Sequence, residues 1–324
     1  MKPLKVQYLL LLLIFVVTSC GNDKQLINPV LNNNFTIETA NQDEFELIVH
    51  DFVSLPNTSS SVDESILVIP PFDDDYIEMF PYGSTTTYHP VGLSHRCFLF
   101  IGTYFHTQDT IHLKRAEKYA RKLMEVSNMI GDTALVPYMF DYRVHGLENA
   151  KLLAPWYSGM AQGEFLEVLV RLYEFTENQE YLEFAHKIFN SFLRLENNNS
   201  DWVVRIDSLG YYWIEEYPHD NPGQTLNGFI AAVIGIYDYY RVTEDEKAKT
   251  IYNLCLTTLK HYIPRFRREN LASYYCLGHN HLAQESYHNF HIRLFNNLHQ
   301  FSNDDFFKEM ADLYKADGEA FFTE

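Results

Sequence analysis

Two stretches of this sequence carry so little charge that, as helices, they must be buried on nearly every side. Residues 221–237 contain no charged side chain, and the four charged side chains of residues 159–175 fall on one narrow helical stripe. A helix that is apolar around most of its circumference has to be enclosed by other structure. Because Asn227, Gly228 and Gly235 interrupt the first stretch, we interpret it as an inner helix of a folded core rather than a membrane span.

Each of these two stretches is followed by an amphipathic one that can cover it, and the same succession is predicted at both ends of the region. Buried helix followed by amphipathic helix, recurring roughly every 60–70 residues, is the pattern of a helical toroid. We therefore predict an all-α fold, an incomplete (α/α) toroid of about four helical hairpins, preceded by a short extended or β N-terminal segment. The predicted hairpins are 91–105 with a helix that ends near Ile130, 159–175 with 180–193, 221–237 with 246–262, and 283–301 with 304–315.

The start of the chain has the features of an export signal. Lys2 and Lys5 precede an unbroken apolar run over residues 9–17. This run is too short to span a membrane, so a removable signal is the better interpretation than a transmembrane helix. It leads into Val-Thr-Ser-Cys, which matches a lipobox and predicts lipidation of Cys20. A plain secretory signal and an uncleaved anchor are the alternatives.

These features divide the chain into four parts. Gly21 follows Cys20 where an Asp would favour retention in the inner membrane, so we expect attachment to a bacterial outer membrane, on its periplasmic or surface face. The best strand candidate before the helices is residues 65–69. The four predicted parts are a lipoprotein signal peptide at 1–19, a lipid-anchored tether at 20–34, an extended and loop-rich segment at 35–88, and a helical domain at 89–318.

The composition excludes several kinds of partner. A formal charge of −18 argues against nucleic acid and against anionic membrane surfaces, which leaves the lipid anchor as the expected membrane contact. The hydrophobic fraction of 46% is that of a globular chain. Once Cys20 is set aside, Cys97, Cys255 and Cys276 remain, and an odd count gives no disulfide framework. We expect buried, inert thiols, and we consider a homodimer among the partners.

The first of three polar and aromatic segments, residues 155–163, begins a predicted inner helix. Trp156 and Tyr157 offer faces on which a sugar ring can stack. Gly159 and Gly163 let a ligand or another part of the chain approach the backbone closely. The alternative is that the two glycines only permit tight packing of helices.

The second segment contains adjacent carboxylates, Glu215 and Glu216, among Tyr and Trp side chains, and Asn227 follows shortly after. Adjacent carboxylates in an aromatic setting raise each other's pKa, so one of them can act as a base near neutral pH. The alternative is a solvated loop, because Glu residues are usually exposed.

The third segment contains His288 and His291, which stand at i and i+3. Two such histidines can share a metal, but no carboxylate stands nearby at ligand spacing. We therefore predict no metal and no cofactor.

Four blocks of the sequence resemble the signature blocks of D-glucuronyl C5-epimerases, in the family's order and at roughly its spacing. Residues 89–93, His-Pro-Val-Gly-Leu, also resemble the entry to the family's helical domain. The resemblance covers about residues 89–316 and implies a toroid of four helical hairpins. The four blocks are Trp-Tyr-Ser-Gly-Met-Ala-Gln-Gly at 156–163, Glu-Glu-Tyr-Pro at 215–218, Leu-Asn-Gly-Phe at 226–229 and Tyr-His-Asn-Phe-His-Ile at 287–292.

The resemblance implies roles for individual residues. Glu216 and Tyr217 correspond to the family's catalytic Glu and Tyr, and Asn227 corresponds to its active-site Asn. Tyr275 and Tyr287 correspond to two further catalytic tyrosines. The residues that we expect to contact the substrate are Trp156, Tyr157, Gln162, Glu215, Asn227, His288, His291 and Arg293.

One departure from the family concerns the carboxylate of the substrate. The family commonly has Tyr-Asp-Leu-Arg-His where residues 275–279 of this chain are Tyr-Cys-Leu-Gly-His, so an arginine for that carboxylate is missing or replaced. An enzyme for an acidic glycan should show a local basic patch even when the whole chain is acidic. The candidates for such a patch are Arg265, Arg267, Arg268, His279 and Arg293.

The implied function is C5-epimerisation of uronosyl residues in a polysaccharide, of the D-glucuronate to L-iduronate type. The C5 hydrogen lies α to a carboxylate, so the reaction needs a base on one face, an acid on the other and a stabiliser of the growing charge. Glu216 or a tyrosinate can be the base. Tyr217, Tyr275 and Tyr287 can be acids or oxyanion donors. A polysaccharide lyase would share the first step, and a non-catalytic glycan-binding lipoprotein is the non-enzyme alternative.

Overall fold

The computed structural model describes residues 35–58, 71–196, 199, 201–220 and 222–322. These described residues contain eight α-helices in four consecutive hairpins. The mostly helical fold that the sequence predicts is confirmed. The predicted strand at 65–69 lies outside the described residues. The hairpins are Pro90–Thr107 (α1) with Thr110–Val126 (α2), Gly159–Thr176 (α3) with Gln179–Phe189 (α4), Leu226–Thr243 (α5) with Glu246–Phe266 (α6), and Glu285–Ser302 (α7) with Asp305–Phe322 (α8).

Short antiparallel strand pairs connect the hairpins and carry much of the site. In the described part of the chain there are six such pairs. They are Phe80–Tyr82 (β1) with Thr85–Thr87 (β2), Asn128–Ile130 (β3) with Thr133–Leu135 (β4), Pro137–Tyr138 (β5) with Trp156–Tyr157 (β8), Tyr142–Arg143 (β6) with Lys151–Leu152 (β7), Val204–Ile206 (β9) with Tyr212–Ile214 (β10), and Tyr274–Cys276 (β11) with His281–Leu282 (β12).

Several helix ends differ from the sequence prediction, and two of the differences have a clear local cause. The first outer helix ends at Val126, before Ile130, because residues 128–130 form β3. The helix predicted to begin at residue 221 begins at Leu226, because residues 222–225, which include Pro222, form a non-helical segment before it. The last helix continues to Phe322, past both the predicted end of the helix and residue 318.

The odd-numbered helices form the inner layer and the even-numbered helices cover them. The helix α3 packs against α1 on one side and α5 on the other, and α5 packs in turn against α7. Each outer helix packs on the inner helix that precedes it in the chain. Residues at the start of all four inner helices border one cavity, so their first turns lie at the same end of the fold.

A close crossing joins the two central inner helices. A methyl group at Gly235 would lie 2.0 Å from the carbonyl oxygen of Gly163, and one at Gly163 would lie 2.3 Å from the Cα of Ala232. Real side chains do not approach so closely, so only glycine fits on both sides of this crossing. Gly163 therefore permits tight packing of two helices, which is the alternative that the sequence analysis gave for this residue.

The turns inside the four hairpins repeat one local structure. Each inner helix is 18 residues long and ends in a Ser or Thr whose hydroxyl donates to the carbonyl four residues earlier. The next residue has a left-handed φ, and the residue after it is an Asp or Asn whose side chain caps the outer helix. The sequence Ser/Thr-X-Asp/Asn is thus an internal repeat, found at 107–109, 176–178, 243–245 and 302–304.

Residues 35–58, which we call the N-terminal strap, cross the C-terminal ends of the inner helices. The backbone N–H of Ile48 donates to the carbonyl of Phe301 over 2.8 Å. The Phe52 ring lies 4.8 Å from Phe105 and 4.9 Å from Phe175, centroid to centroid. The strap therefore ties together the ends of α1, α3 and α7 that lie farthest from their first turns. Within the described residues, no helix has the length and apolar character needed to span a membrane.

We predict that Phe52→Ala lowers the free energy of unfolding by about 2–4 kcal/mol, because the ring loses both aromatic neighbours and the Arg171 guanidinium over its face. Val53 is the matched control, since 61% of its surface is exposed and Val53→Ala should change stability by less than about 0.5 kcal/mol. Urea denaturation measures both values. Equal effects at the two positions would contradict the packing of the strap.

Candidate active site

A cavity of about 350 Å³ lies where the first turns of all four inner helices meet. His89, Ser158, Asn227 and Tyr287 contribute one wall residue from the start of each inner helix. Most of the remaining wall is aromatic, which suits a ligand with flat, partly apolar faces such as a sugar ring. The aromatic residues of the wall are Phe80, Tyr82, Tyr138, Phe140, Tyr142, Trp156, Tyr217, Tyr287 and Phe290.

Two adjacent carboxylates, Glu215 and Glu216, directly follow β10, and their side chains point in opposite directions. Glu215 is fully buried, with its Oε1 atom 3.0 Å from Arg205 Nε, and its Oε2 atom accepts a hydrogen bond from the backbone of Gln224. Glu216 lines the cavity. Successive side chains of an extended segment point to opposite sides, so one carboxylate is neutralised inside the protein while its neighbour faces the ligand space.

The first turn of α5 leaves room for Glu216 only because residue 228 is glycine. A methyl group at Gly228 would lie 2.2 Å from Oε2 of Glu216. The Leu-Asn-Gly-Phe block therefore has a steric function in addition to the placement of Asn227. Asn227 is itself buried against the cavity, and its Oδ1 atom has no hydrogen-bond partner among the described residues.

Glu216 has the electrostatic properties of a base for neutral pH. Burial raises the pKa of its carboxyl group to about 7, and hydrogen bonds from Tyr217 and Tyr275 offset part of the effect of burial. The Tyr275 hydroxyl lies 3.4 Å and 3.5 Å from the two carboxylate oxygens. Near pH 7 both protonation states of Glu216 are populated, which is the condition for efficient proton transfer.

Three tyrosines surround this carboxyl group and remain protonated. Burial, with the Glu216 charge as the next cause, raises the pKa of Tyr217, Tyr275 and Tyr287 above the ordinary value of 10. The rings of Tyr275 and Tyr287 lie 4.9 Å apart, nearly perpendicular to each other. Tyr287 is 40% exposed and therefore accessible from the cavity, whereas Tyr275 lies behind it. Each phenol can donate a proton or a hydrogen bond at neutral pH.

Two histidines on the α1 side of the cavity differ in charge. His95 Nε2 lies 3.0 Å from Glu164 Oε1. Partial burial opposes protonation of His95, but the Glu164 carboxylate outweighs burial and raises its pKa. Burial and the neighbouring His95 lower the pKa of His89 to about 4, so His89 is neutral. A protonated His95 would place one positive charge at the rim.

The structure brings together most of the residues that the sequence singles out. Trp156, Glu216, Tyr217, Asn227 and Tyr287 line one cavity, and Tyr275 contacts two of them. Arg293 lines an adjoining cavity of about 460 Å³ that shares Tyr287 and Phe290 with the first.

Tyr157 and Gln162 do not line this cavity. The Tyr157 hydroxyl accepts a hydrogen bond from Asn128 Nδ2 over 2.8 Å. The buried Gln162 amide accepts from the backbone of Val136 and donates to the carbonyl of Ala134. Gln162 thus joins β4 and the residue after it to the first turn of α3, and Tyr157 joins β8 to β3. Either side chain would have to give up these hydrogen bonds to contact a substrate.

His288 and His291 are also used inside the protein. His288 Nδ1 accepts a hydrogen bond from the backbone of Ser273, and its Nε2 lies 2.7 Å from the Tyr314 carbonyl. His291 Nδ1 lies 3.1 Å from the Ser273 hydroxyl. Both rings are buried, so they fasten α7 to α8 and to the segment before β11. Glu215, buried against Arg205, likewise faces away from the cavity.

The basic patch expected from the Arg-rich segment does not form at the cavity. Arg267 pairs with Asp317 at 2.7 Å. Arg265 lies over the Tyr262 ring and Arg268 over the Tyr274 ring. Within the described residues, the wall of the 350 Å³ cavity contains no arginine or lysine, and its cationic candidate is His95.

Sequence reasoning missed one wall of the cavity. Tyr138, Phe140 and Tyr142 lie along β5 and β6 and stack around Trp156, whose ring lies 4.1 Å from that of Tyr138. Their spacing of two residues was the available signal, because alternate residues of an extended segment share one side.

The fold and the cavity together define a class of protein, a mostly helical domain of paired helices with an aromatic, acid-bearing cleft where the inner helices begin. The model of the D-glucuronyl C5-epimerase C-terminus family matches residues 131–316, more than half of the chain. The chain belongs to this family. The resemblance carried by the four sequence blocks is therefore confirmed.

The relatives of the chain cover it in part. D-glucuronyl C5-epimerase of Caenorhabditis elegans is 29% identical over 188 residues, which are 52% of this chain and 30% of that protein. An uncharacterised protein of Methanocaldococcus jannaschii is 29% identical over 143 residues, 44% of this chain and 45% of that one. The chain thus spans less than half of the length of these curated relatives.

A solved structure supports the fold assignment. Cellobiose 2-epimerase from Bacillus thermoamylovorans matches with a TM-score of 0.52 and 14% identity, over 71% of this chain and 60% of that one. At this identity the similarity concerns the fold alone.

We predict that Glu216→Gln stabilises the protein increasingly as the pH rises. The folded-state pKa of about 7 lies above the ordinary value of 4.5, so stability from the protonated carboxyl is complete below pH 4.5 and is lost as the pH rises through 7. The variant should gain up to about 3 kcal/mol over wild type between these limits. Glu148→Gln, at an exposed position, is the control and should leave the pH profile of unfolding unchanged. A constant difference between wild type and Glu216→Gln across this range would argue against a buried carboxyl.

Proposed function

We propose that this protein epimerises uronosyl residues of a polysaccharide at C5, in the sense D-glucuronate to L-iduronate, without a cofactor. The observation that carries the proposal is Glu216, a buried carboxyl group with a pKa near 7 that faces an aromatic cavity and is surrounded by three protonated tyrosines. Membership of the D-glucuronyl C5-epimerase C-terminus family supports it.

The proposed chemistry is a transfer of protons through C5. Glu216 takes the C5 proton from one face of the sugar, and the electron pair is delocalised into the adjacent carboxylate as an enediolate. A tyrosine on the other face returns a proton to C5 with inverted configuration. We assign this role to Tyr287, because it lines the cavity and is partly exposed there. Tyr217 and Asn227 can stabilise the charge that develops on the carboxylate oxygens.

The two protein groups must then exchange a proton before the next turnover. After one cycle Glu216 holds the added proton and Tyr287 is a tyrosinate. Tyr275 lies between them, with its hydroxyl 3.4 Å from Glu216 Oε1 and its ring 4.9 Å from that of Tyr287. A relay through the Tyr275 hydroxyl restores both groups without release of the substrate chain.

The binding of an anionic sugar can rest on backbone dipoles rather than on an arginine. All four inner helices begin at the cavity, and each helix carries the equivalent of about half a positive charge at its N-terminus. The arginine position of the family is Gly278 here, where a Cβ would lie 2.0 Å from the Pro222 carbonyl oxygen. His95 at the rim and Arg293 in the adjoining cavity can add side-chain charge.

We extend the proposal to the overall architecture and location. The four hairpins form an incomplete toroid, and the N-terminal strap is its extended segment. Lipidation of Cys20 anchors the protein to the cell envelope, most simply the outer membrane of a bacterium. The supporting features are the charged start, the apolar run at 9–17 and the lipobox that ends in Cys20.

The direct test is solvent exchange at C5. In heavy water, purified protein incubated with glucuronate-containing glycans should introduce deuterium at C5 and produce an iduronate signal by NMR. Glu216→Gln and Tyr287→Phe should each lose about 10²–10⁴ in rate, because each removes one positioned proton-transfer group. The panel should include bacterial capsular polysaccharides and exopolysaccharides, since the carboxylate-binding arginine of the family is absent.

Neighbouring tyrosines of β11 provide the matched control. Tyr275→Phe should slow turnover, because the relay to Glu216 is lost, whereas Tyr274→Phe should not, because Tyr274 lies against Arg268. Exchange together with an ultraviolet-absorbing unsaturated uronate would identify a lyase instead. Glycan binding without any exchange would favour a binding protein and refute the epimerase.

Lipidation has a separate test. A labelled fatty acid should enter the wild-type protein and not the Cys20→Ala variant, because the thiol at Cys20 is the acceptor. Exchange activity should survive the substitution, since Cys20 precedes the described fold by more than ten residues. Equal labelling of both proteins, or of neither, would refute the anchor.

A further inference from the structure

Three metal-ligating side chains meet beside the strand that carries Tyr275. His145 Nε2 lies 3.2 Å from Cys276 Sγ, and Cys276 Sγ lies 3.7 Å from His279 Nδ1. All three donor atoms lie within 4.8 Å of one another. Cys276 is fully buried and both imidazoles are partly buried, so the cluster is shielded by protein but remains within reach of solvent.

The two sulfur–nitrogen distances match those between ligand atoms of one tetrahedral centre. Zinc–sulfur bonds of about 2.3 Å and zinc–nitrogen bonds of about 2.0–2.1 Å place N and S atoms roughly 3.5 Å apart. Hydrogen bonding would hold the cluster only weakly, because the one thiol proton serves one ring nitrogen and the other ring must donate to sulfur, which is a weak acceptor. A single cation accepts a lone pair from all three atoms.

The backbone is distorted at two separate places to bring these donors together. His145 has a φ of 53° and is followed by Gly146 with a φ of 76°, and a left-handed non-glycine residue persists only where its surroundings hold it. In β11 the register shifts between Tyr274 and Cys276, and bulges of this kind redirect a side chain. The two distortions converge on one point, although His145 and Cys276 are 131 positions apart.

We propose that His145, Cys276 and His279 bind one zinc ion, with a fourth position open to water. The ion would join the turn Val144–Gly146 to β11. The centroid of the His145 ring lies 5.6 Å from that of Tyr275, so the same ion would restrain the strand whose tyrosine contacts Glu216. This proposal does not depend on the reaction proposed above.

The test is a metal titration of the full-length chain, solubilised in detergent and first stripped with a chelator. Competition with a chromogenic chelator should show one equivalent of Zn²⁺ bound with a Kd below about 1 μM. Co²⁺ bound in place of Zn²⁺ should give a near-ultraviolet sulfur-to-metal charge-transfer band. Cys276→Ser should abolish the band and weaken Zn²⁺ binding more than about 100-fold, beyond the loss expected from an outer-shell partner.

The matched control is Cys97→Ser, the same substitution at another buried thiol, which donates to the Ala116 carbonyl and should leave binding unchanged. In wild type, Zn²⁺ should also slow amide exchange at residues 142–146 and 274–282. His145→Gln carries the test if Cys276→Ser does not fold. The proposal is overturned by the absence of stoichiometric Zn²⁺ binding, by wild-type binding in both ligand variants, or by stoichiometric binding of copper alone.

Discussion

The close approach of α3 to α5 positions the centre of the cleft. Gly163 and Gly235 let these helices come closer than any side chain would allow, and farther along the same pair of helices Arg171 of α3 forms a buried ion pair with Asp238 of α5. The crossing fixes the position of the first turn of α3 relative to the first turn of α5. Ser158 lies at the first of these turns and Asn227 at the second. The hairpin that carries Glu216 is then held to α3 by the Gly159 N–H, which donates to the Glu215 carbonyl over 2.8 Å.

Two neighbouring carboxylates illustrate how burial alone does not define a reactive group. Glu215 and Glu216 are both buried, and burial raises the pKa of each. Glu215 has a guanidinium partner in Arg205, which opposes the effect of burial and holds the side chain in place. Glu216 has only phenols, which can donate hydrogen bonds but do not bring a compensating charge. A proton on Glu216 is therefore easily exchanged, and this property separates a proton-transfer group from a structural ion pair.

The periodicity of apolar residues predicted the helical hairpins, because it depends only on neighbouring positions in the chain. The four blocks that resemble the family predicted that Trp156, Glu216 and Tyr287 belong to one site. They could not separate Gln162 from a ligand contact, since a polar side chain in a motif serves backbone atoms or substrate according to what faces it. They also could not connect His145 to Cys276, because only the folded chain brings such distant segments together. The repeated Ser/Thr-X-Asp/Asn turn was present in the sequence, but it is too short to stand out before the four helix ends are known.

The N-terminal strap also determines how a long ligand can occupy the protein. Pro56 and Asn57 of the strap line the adjoining cavity of about 460 Å³ together with Glu167 and Arg293. Asn57 Nδ2 donates a hydrogen bond to Glu167 over 3.2 Å. Within the described residues, the strap thus closes part of the space inside the helices at the end opposite the first turns. A polymeric ligand of the kind proposed above would lie across the mouth of the cavity, with one residue turned inward and both flanking parts of its chain in solvent. Such a geometry admits residues in the interior of a chain, and it needs no free chain end.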